Sequence, residues 1–279
     1  MDLDEYREVS LRTWDRVSSG WSDQRGLLGR ALGPVGDRLV ERLDPEPGQT
    51  VLELAAGIGH VGFKVAERLG ASGRLISTDF APAMVARARA FGEELGLDNV
   101  EYRVLDAERM DVDDSSVDGV LCRFGYMLMA DPAAALAETR RVLREGGRLS
   151  FAVWAEPERN PWAAIPGKTM VDLGHLPAPE PGAPGIFSLA DPSRIEALVT
   201  GAGFGEPEIE EVPVDWEYGD ADDHWRLTLE LSGPISEVVE DLSPDERERA
   251  RGAVRERAAP LLEAGGPGLA GVALTVLAE

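Results

Sequence analysis

The sequence predicts an α/β protein built on a doubly wound, mostly parallel sheet. Three observations predict it. Apolar runs of strand length alternate with helical patterns between residues 50 and 153. The first of these runs passes through a glycine turn into a helix, the local pattern of a nucleotide-binding crevice. The last two strand patterns are separated by a helical stretch, which predicts an antiparallel pair closing the sheet edge.

Residues 5–43 read as helical pieces broken near Gly33-Pro34, and the DPEPG run at 44–48 is a stop. Strand one is 50–54 and its helix is 61–69. Gly70 and Gly73 flank a turn into strand two, Arg74 to Thr78, and Pro82 opens a helix to about Leu95. Strand three is Val100 to Leu105 and strand four is Val117 to Cys122. Asp131-Pro132 caps a helix to Arg144, Gly146-Gly147 ends it, and Arg148 to Val153 is strand five. Residues 155–187, with PAPEPGAPG at 177–185, read as a long connection, either a mobile loop or part of a lid. Asp191-Pro192 starts a helix to about Thr200, and Glu208 to Trp216 alternates as a strand. Residues 221–263 are helical with interruptions at Gly233-Pro234 and Ser243-Pro244, and Gly271 to Leu277 is the last strand. The expected domains are an N-terminal helical cap (1–48), an α/β ligand-binding domain (49–220 and 264–279) and a helical insertion (221–263).

The chain has 279 residues, enough for one large α/β domain with an insertion. Its net charge of −23 repels phosphate backbones and anionic lipid, which excludes nucleic acid and membrane surfaces as expected partners. The single cysteine, Cys122, excludes an internal disulfide and a cysteine-rich metal site, so no metal is expected. It ends an apolar strand and reads as a small core residue. The start MDLDEYREVS is acidic and unlike a signal peptide, and no apolar run reaches spanning length; a cytoplasmic protein is expected. A homo-oligomer is left open.

Function concentrates in VLELAAGIGHVG, residues 51–62. A short strand carries an acid, Glu53; Gly57 and Gly59 make a turn; a helical pattern follows. The glycines let a ligand approach the backbone, and the helix N-terminus offers unpaired N–H groups. Two ligands fit. Gly57, Gly59 and Gly62 satisfy G-x-G-x-x-G and Asp79 lies at the distance of a ribose-binding acid, as in an NAD(P)-dependent oxidoreductase. A dinucleotide strand, however, usually runs apolar into its first glycine, and here Glu53 stands four residues before Gly57. A carboxylate there suits a ligand with an ammonium and a sulfonium, S-adenosylmethionine (SAM). Ligands of doubly wound sheets bind at the C-terminal strand ends. Those ends carry Glu53, then Asp79 and Phe80, then Asp106 and Ala107, then Arg123, Phe124 and Gly125. The Tyr-x-x-x-Lys pair of many oxidoreductases is absent, since Tyr126 is followed by Ala130.

The run from Val51 to Trp162 resembles the small-molecule class I SAM-dependent methyltransferases of the ubiquinone/menaquinone-biosynthesis type. The matching segments are VLELAAGIGH, STDFAPAMVARARA, VLDAER, DPAAALAETRRVLREGGRLSFAVW and NPW at 160–162. Glu53, Ala55, Gly57 and Gly59 are similar to the family's first motif, with Ala55 in place of its first glycine. The resemblance implies a Rossmann-like methyltransferase fold: seven strands, one reversed. The position of residues 221–263, a helical insertion between the last two strands divided by its Pro breaks, predicts that they form a substrate lid together with the N-terminal segment. The resemblance also implies that backbone around Ala55, Gly57 and Gly59 meets the methionine part of SAM, with Glu53 nearby. Asp79 would accept from both ribose hydroxyls, an ionised carboxylate being acceptor-only. Phe80 and Met84 would pack on the adenine, Asp106 would accept from its amino group and Ala107 would supply a backbone N–H. Arg123 and Phe124 would line the methionine end.

Methyl transfer from a sulfonium is an in-line displacement, so alignment is the protein's main task. A base is still useful for an oxygen or nitrogen acceptor. Among His60, His175 and His224, the candidate is His224, in DDHW within the insertion. Trp14 and Trp21 lie on one helical face with Val17 between them, and read either as core packing or as a cap over donor and acceptor. Tyr126 and Met127, after strand four, are further candidates for acceptor contact. The expected function is methyl transfer from SAM to a C, O or N atom of a small, fairly apolar metabolite. The alternatives are a ligand-binding or regulatory protein of the same fold and a NAD(P)-dependent oxidoreductase.

Overall fold

The structure, a computed structural model, describes residues 2–180, 182–263 and 269–279. The expected domain boundary at 263/264 and one residue of the 177–185 run therefore lie outside the described residues. Five parallel strands form the centre: β1 (Thr50–Leu54), β2 (Arg74–Asp79), β3 (Val100–Val104), β4 (Val117–Arg123) and β5 (Leu143–Trp154). With β6 (Glu208–Val214) and β7 (Gly271–Ala278) they make a seven-stranded sheet of order β3-β2-β1-β4-β5-β7-β6. β7 runs antiparallel to both β5 and β6 and is the reversed strand. The chain winds outward from β1 to β3, then restarts at β4 on the other side of β1. The switch point between β1 and β4 is where an open α/β sheet leaves a crevice.

Eleven α-helices complete the described residues: α1 (Leu3–Asp23), α2 (Arg25–Ala31), α3 (Gly33–Leu43), α4 (His60–Leu69), α5 (Pro82–Glu94), α6 (Pro132–Val142), α7 (Pro161–Asp172), α8 (Pro192–Gly201), α9 (Ala221–Leu231), α10 (Gly233–Asp241) and α11 (Pro244–Glu263). They cover both faces of the sheet. Successive strand side chains alternate faces. On β5, Ser150 donates to the Leu39 carbonyl of α3, while Phe151 meets Tyr126, whose hydroxyl bonds Thr139 of α6. Burial on both faces explains the unbroken apolar runs, with Val51, Leu52 and Leu54 all buried.

The helical break expected near Gly33-Pro34 falls at Leu32, with Pro34 in the first turn of α3, where its missing N–H costs no bond. Three element expectations differ from the structure. A further break falls at Gln24. α6 stops at Val142, and LREGG already belongs to β5. The register steps from Val117↔Leu143 to Gly119↔Arg148, so β5 bulges here, with Gly146 at φ 76°. Residues 155–187 are not only loop, because α7 lies within them. Its Met170 packs with Trp225, Ile235, Val239, Ala250 and Val254 in a core separate from that of the sheet. α7 therefore packs with the insertion.

Candidate functional site

The crevice is built from strand ends. At the end of β1, Ala55 takes φ 50°; Gly57 and Gly59 follow at φ 57° and 87°. A side chain on Gly59 would meet the Phe63 ring at 2.3 Å. At the end of β4, Phe124 takes φ 62°. The two strand ends converge at Gly125, where an added Cβ would lie 2.7 Å from that of Ala55. Left-handed backbone at non-glycine residues costs on the order of 1–3 kcal/mol each and clusters at functional sites.

Asp79, at the end of β2, fastens this turn. Its Oδ2 accepts the Gly57 N–H at 2.8 Å and its Oδ1 accepts the Ala81 N–H at 2.9 Å. Burial, with Asp15 nearby, pushes its pKa up to about 6, against the pull of those bonds. Each oxygen keeps capacity for a second donor. Phe80 is half-buried beside it. Met84 is fully buried and packs with Val17, Ile58, Ala81 and the α1 residues Trp14 and Trp21. At the end of β3, Asp106 accepts the Glu108 N–H at 2.9 Å, and Ala107 is buried.

Glu53 differs from expectation. It is 2 % exposed, and both oxygens are engaged inside the protein: Oε1 accepts the Gly62 N–H at 2.8 Å and Oε2 the Ser77 hydroxyl at 3.1 Å. A Cβ on Gly62 would lie 2.0 Å from Oε2. The carboxylate is thus a hook holding the first turn of α4 against β1 and β2, with no exposed face for a ligand's ammonium. Burial raises its pKa to about 7, while Arg123 pulls it down. Arg123 is itself lowered to about 10 by burial, with Glu53 opposing that shift. His60 is depressed to about 4, by burial first and Arg123 second.

α1 crosses the C-terminal end of the sheet. Tyr6 donates to the Leu128 carbonyl, and Arg7 pairs with the buried Glu108, which also accepts the Ala130 N–H. Asp15 accepts the Ala83 N–H in the first turn of α5. Trp21 lies over the glycine turn, 3.8 Å from where a Gly57 side chain would begin, and donates from Nε1 to the Leu231 carbonyl of α9. Trp14 meets Trp21 edge-on at 5.7 Å. Sequence reasoning missed Tyr6, Arg7, Asp15 and Glu108, because their partners are distant in the chain.

Two acceptor candidates turn inward. Tyr126 is fully buried in the sheet core, its hydroxyl 2.6 Å from Thr139 Oγ1. Met127 is 2 % exposed, its carbonyl accepting from Gly185 and Ser188. The short helical turn 126–128 aims them at the core. His224 is fully buried, its Nε2 at 2.7 Å from the Trp162 carbonyl oxygen. Phe124 stacks on Trp154 with centroids 4.1 Å apart, and Trp154 meets Trp162 at 4.9 Å.

Residues 51–147, which span this crevice, match the methyltransferase domain family. That part of the chain is similar to methyltransferase domains. The aklanonic acid methyltransferase of Streptomyces sp. strain C5 is 33 % identical over 146 residues, 52 % of this chain and 65 % of that protein. The nocamycin O-methyltransferase of Saccharothrix syringae is 33 % identical over 175 residues, 62 % of this chain and 60 % of that protein. The chain thus spans less than two thirds of the length of these relatives. The methyltransferase fold extends further: the phosphoethanolamine N-methyltransferase 2 of Haemonchus contortus superposes with a TM-score of 0.60 at 15 % identity, over 98 % of this chain and 60 % of that one. Among the described residues no helix is long and apolar enough to cross a membrane, and no cluster of His, Cys, Asp and Glu is placed to hold a metal ion.

Proposed function

We propose that the protein transfers the methyl group of S-adenosylmethionine to a C, O or N atom of a small, fairly apolar metabolite. The observation that carries this reading is Asp79: a half-buried carboxylate at the end of β2, tied by one oxygen to the glycine turn and holding unused acceptor capacity on both. Two vicinal ribose hydroxyls are the donors it suits. The left-handed residues Ala55 and Phe124 set the walls of the methionine end, and Asp106 lies at the adenine end. The names of the relatives support the same chemistry.

SAM supplies an activated methyl on a sulfonium, so the chain's residues have to bind, align and exclude water. Asp79 and the turn bind. Phe124, stacked on Trp154, gives a flat wall on the acceptor side. α1, with Trp14 and Trp21, closes the mouth, and residues 221–263 serve with it as the lid. In this reading the cap is 1–48, the SAM-binding domain 49–220 and 264–279, and the lid 221–263 with α7 joined to it. Calorimetric titration with SAM, S-adenosylhomocysteine, NAD and NADP tests the proposal. Heat is expected from the first two; heat from a nicotinamide nucleotide alone overturns it.

A further inference from the structure

α1 carries Leu11, Trp14, Val17 and Trp21 on one face, and this face rests on Ile58 of the glycine turn and on Ala81 and Met84 after β2. The three covered residues are 3 %, 0 % and 1 % exposed. Met84 belongs to the surface that the family resemblance gives to the adenine. Ile58 lies between the two glycines whose backbone it gives to the methionine part. Over the same turn, two ring carbons of Trp21 lie 3.8 and 3.9 Å from where a Gly57 side chain would begin. Carbon atoms in contact stand about 3.5–4.0 Å apart, so no ligand atom fits between that ring and the turn. Helix and ligand therefore compete for one surface.

Polar ties hold the helix in this seat from both sides. Toward the sheet, Tyr6 donates to the Leu128 carbonyl at 2.9 Å, Arg7 pairs with the buried Glu108, and Asp15 accepts the Ala83 N–H at 2.9 Å. Toward the insertion, Thr13 donates to Glu237 at 3.2 Å and Trp21 Nε1 to the Leu231 carbonyl at 3.1 Å. One contact works against the seat. Asp15 and Asp79 accept from N–H groups two residues apart, those of Ala83 and Ala81, so seating α1 brings two carboxylates to one turn. The Asp79 pKa, raised first by burial, is raised further by Asp15, as two like charges oppose each other's ionised form. Release of α1 relieves that repulsion.

We propose that α1 is a gate whose seat on Ile58, Ala81 and Met84 shuts out the cofactor, so that S-adenosylmethionine enters only after this face and Trp21 have lifted off. The helix then reseats over the bound molecule. The proposal rests on the methyltransferase reading of the crevice and adds an order of events to it, opening before binding. Because the same helix is tied to Leu231 and Glu237, its release also frees that side of the insertion.

The test is stopped-flow tryptophan fluorescence of the full chain mixed with rising concentrations of S-adenosylhomocysteine. In the wild type the observed rate is expected to level off at a ceiling set by opening. Arg7→Gln removes the ion pair with Glu108, and Trp21→Ala removes the ring over the turn. Each is expected to raise the ceiling at least about tenfold, because a weaker seat opens more readily. A wild-type rate that rises in proportion to concentration throughout overturns the gate. So does a ceiling that both variants leave unchanged or lower, the result for a helix that closes only after the ligand has bound. Either of these outcomes leaves the methyltransferase reading standing. No binding of S-adenosylhomocysteine by the wild type or either variant sinks that reading and the gate with it. The concentration series needs only the wild type, so a variant that fails to fold does not remove the test.

Discussion

Asp79 and Glu53 sit on adjacent strands, and their surroundings give them different tasks. Asp79 keeps acceptor capacity toward the crevice, whereas both oxygens of Glu53 are engaged under α4. Asp79→Ala is expected to weaken S-adenosylhomocysteine binding by about 2–3 kcal/mol, since hydrogen bonds to a charged group are the stronger kind. Calorimetry on the folded variant checks this, and wild-type affinity would refute the site. Glu53 gives a pH prediction. Its folded-state pKa, about 7, lies above the ordinary 4.5 because burial disfavours the charged form. Between those values the folded chain holds a proton that the unfolded chain has released. Its contribution to stability therefore falls as pH rises from 4.5 to about 7 and stays low above that. Glu53→Gln is neutral throughout, so its urea-denaturation stability should decline less than that of the wild type across this window. Parallel profiles would show that Glu53 does not titrate there.

At the scale of elements, α1 and α9 pack in close contact. Gly20 permits it: a Cβ there would lie 2.2 Å from the Glu230 carbonyl oxygen, a backbone atom that cannot swing aside. Around it Trp21 donates to Leu231, Gln24 to Glu230, and Arg16 to the Gly233 carbonyl. Gly20→Ala should push the helices apart, destabilise the chain by about 1–3 kcal/mol as overpacking does, and move Trp21 off the glycine turn. Thermal unfolding and tryptophan fluorescence read both effects. A variant with unchanged melting and emission would mean that this contact does not hold α1 in place.

Across the whole molecule, α2 and α3 pack into the core of the sheet, while α1 packs on Ile58, Ala81 and Met84 and the insertion shares a separate core with α7, which leaves α1 and the insertion as the candidate lid. If they act as a lid, S-adenosylhomocysteine together with an accepted substrate should slow amide exchange in residues 5–25 and 221–263 as well as in 51–125. Protection confined to 51–125 would count against the lid.

The sequence by itself determined the sheet and the position of its crevice. Strand lengths, the glycine turn and the acid at the end of β2 are local signals, because strand alternation, φ > 0 and strand-end polarity are properties of short segments. Only the tertiary structure decided where the acids and aromatics point. Glu53 reads as a ligand acid from its spacing, yet faces Gly62 because α4 packs back on β1. Tyr126 follows a site strand, yet turns into the core against Phe151. The closure by Tyr6, Arg7 and Asp15, and the bond between His224 and Trp162, join residues separated by tens to more than a hundred positions. No local pattern encodes such a meeting. It arises when the insertion and the cap fold over the sheet and side chains from distant segments compete for the same buried space.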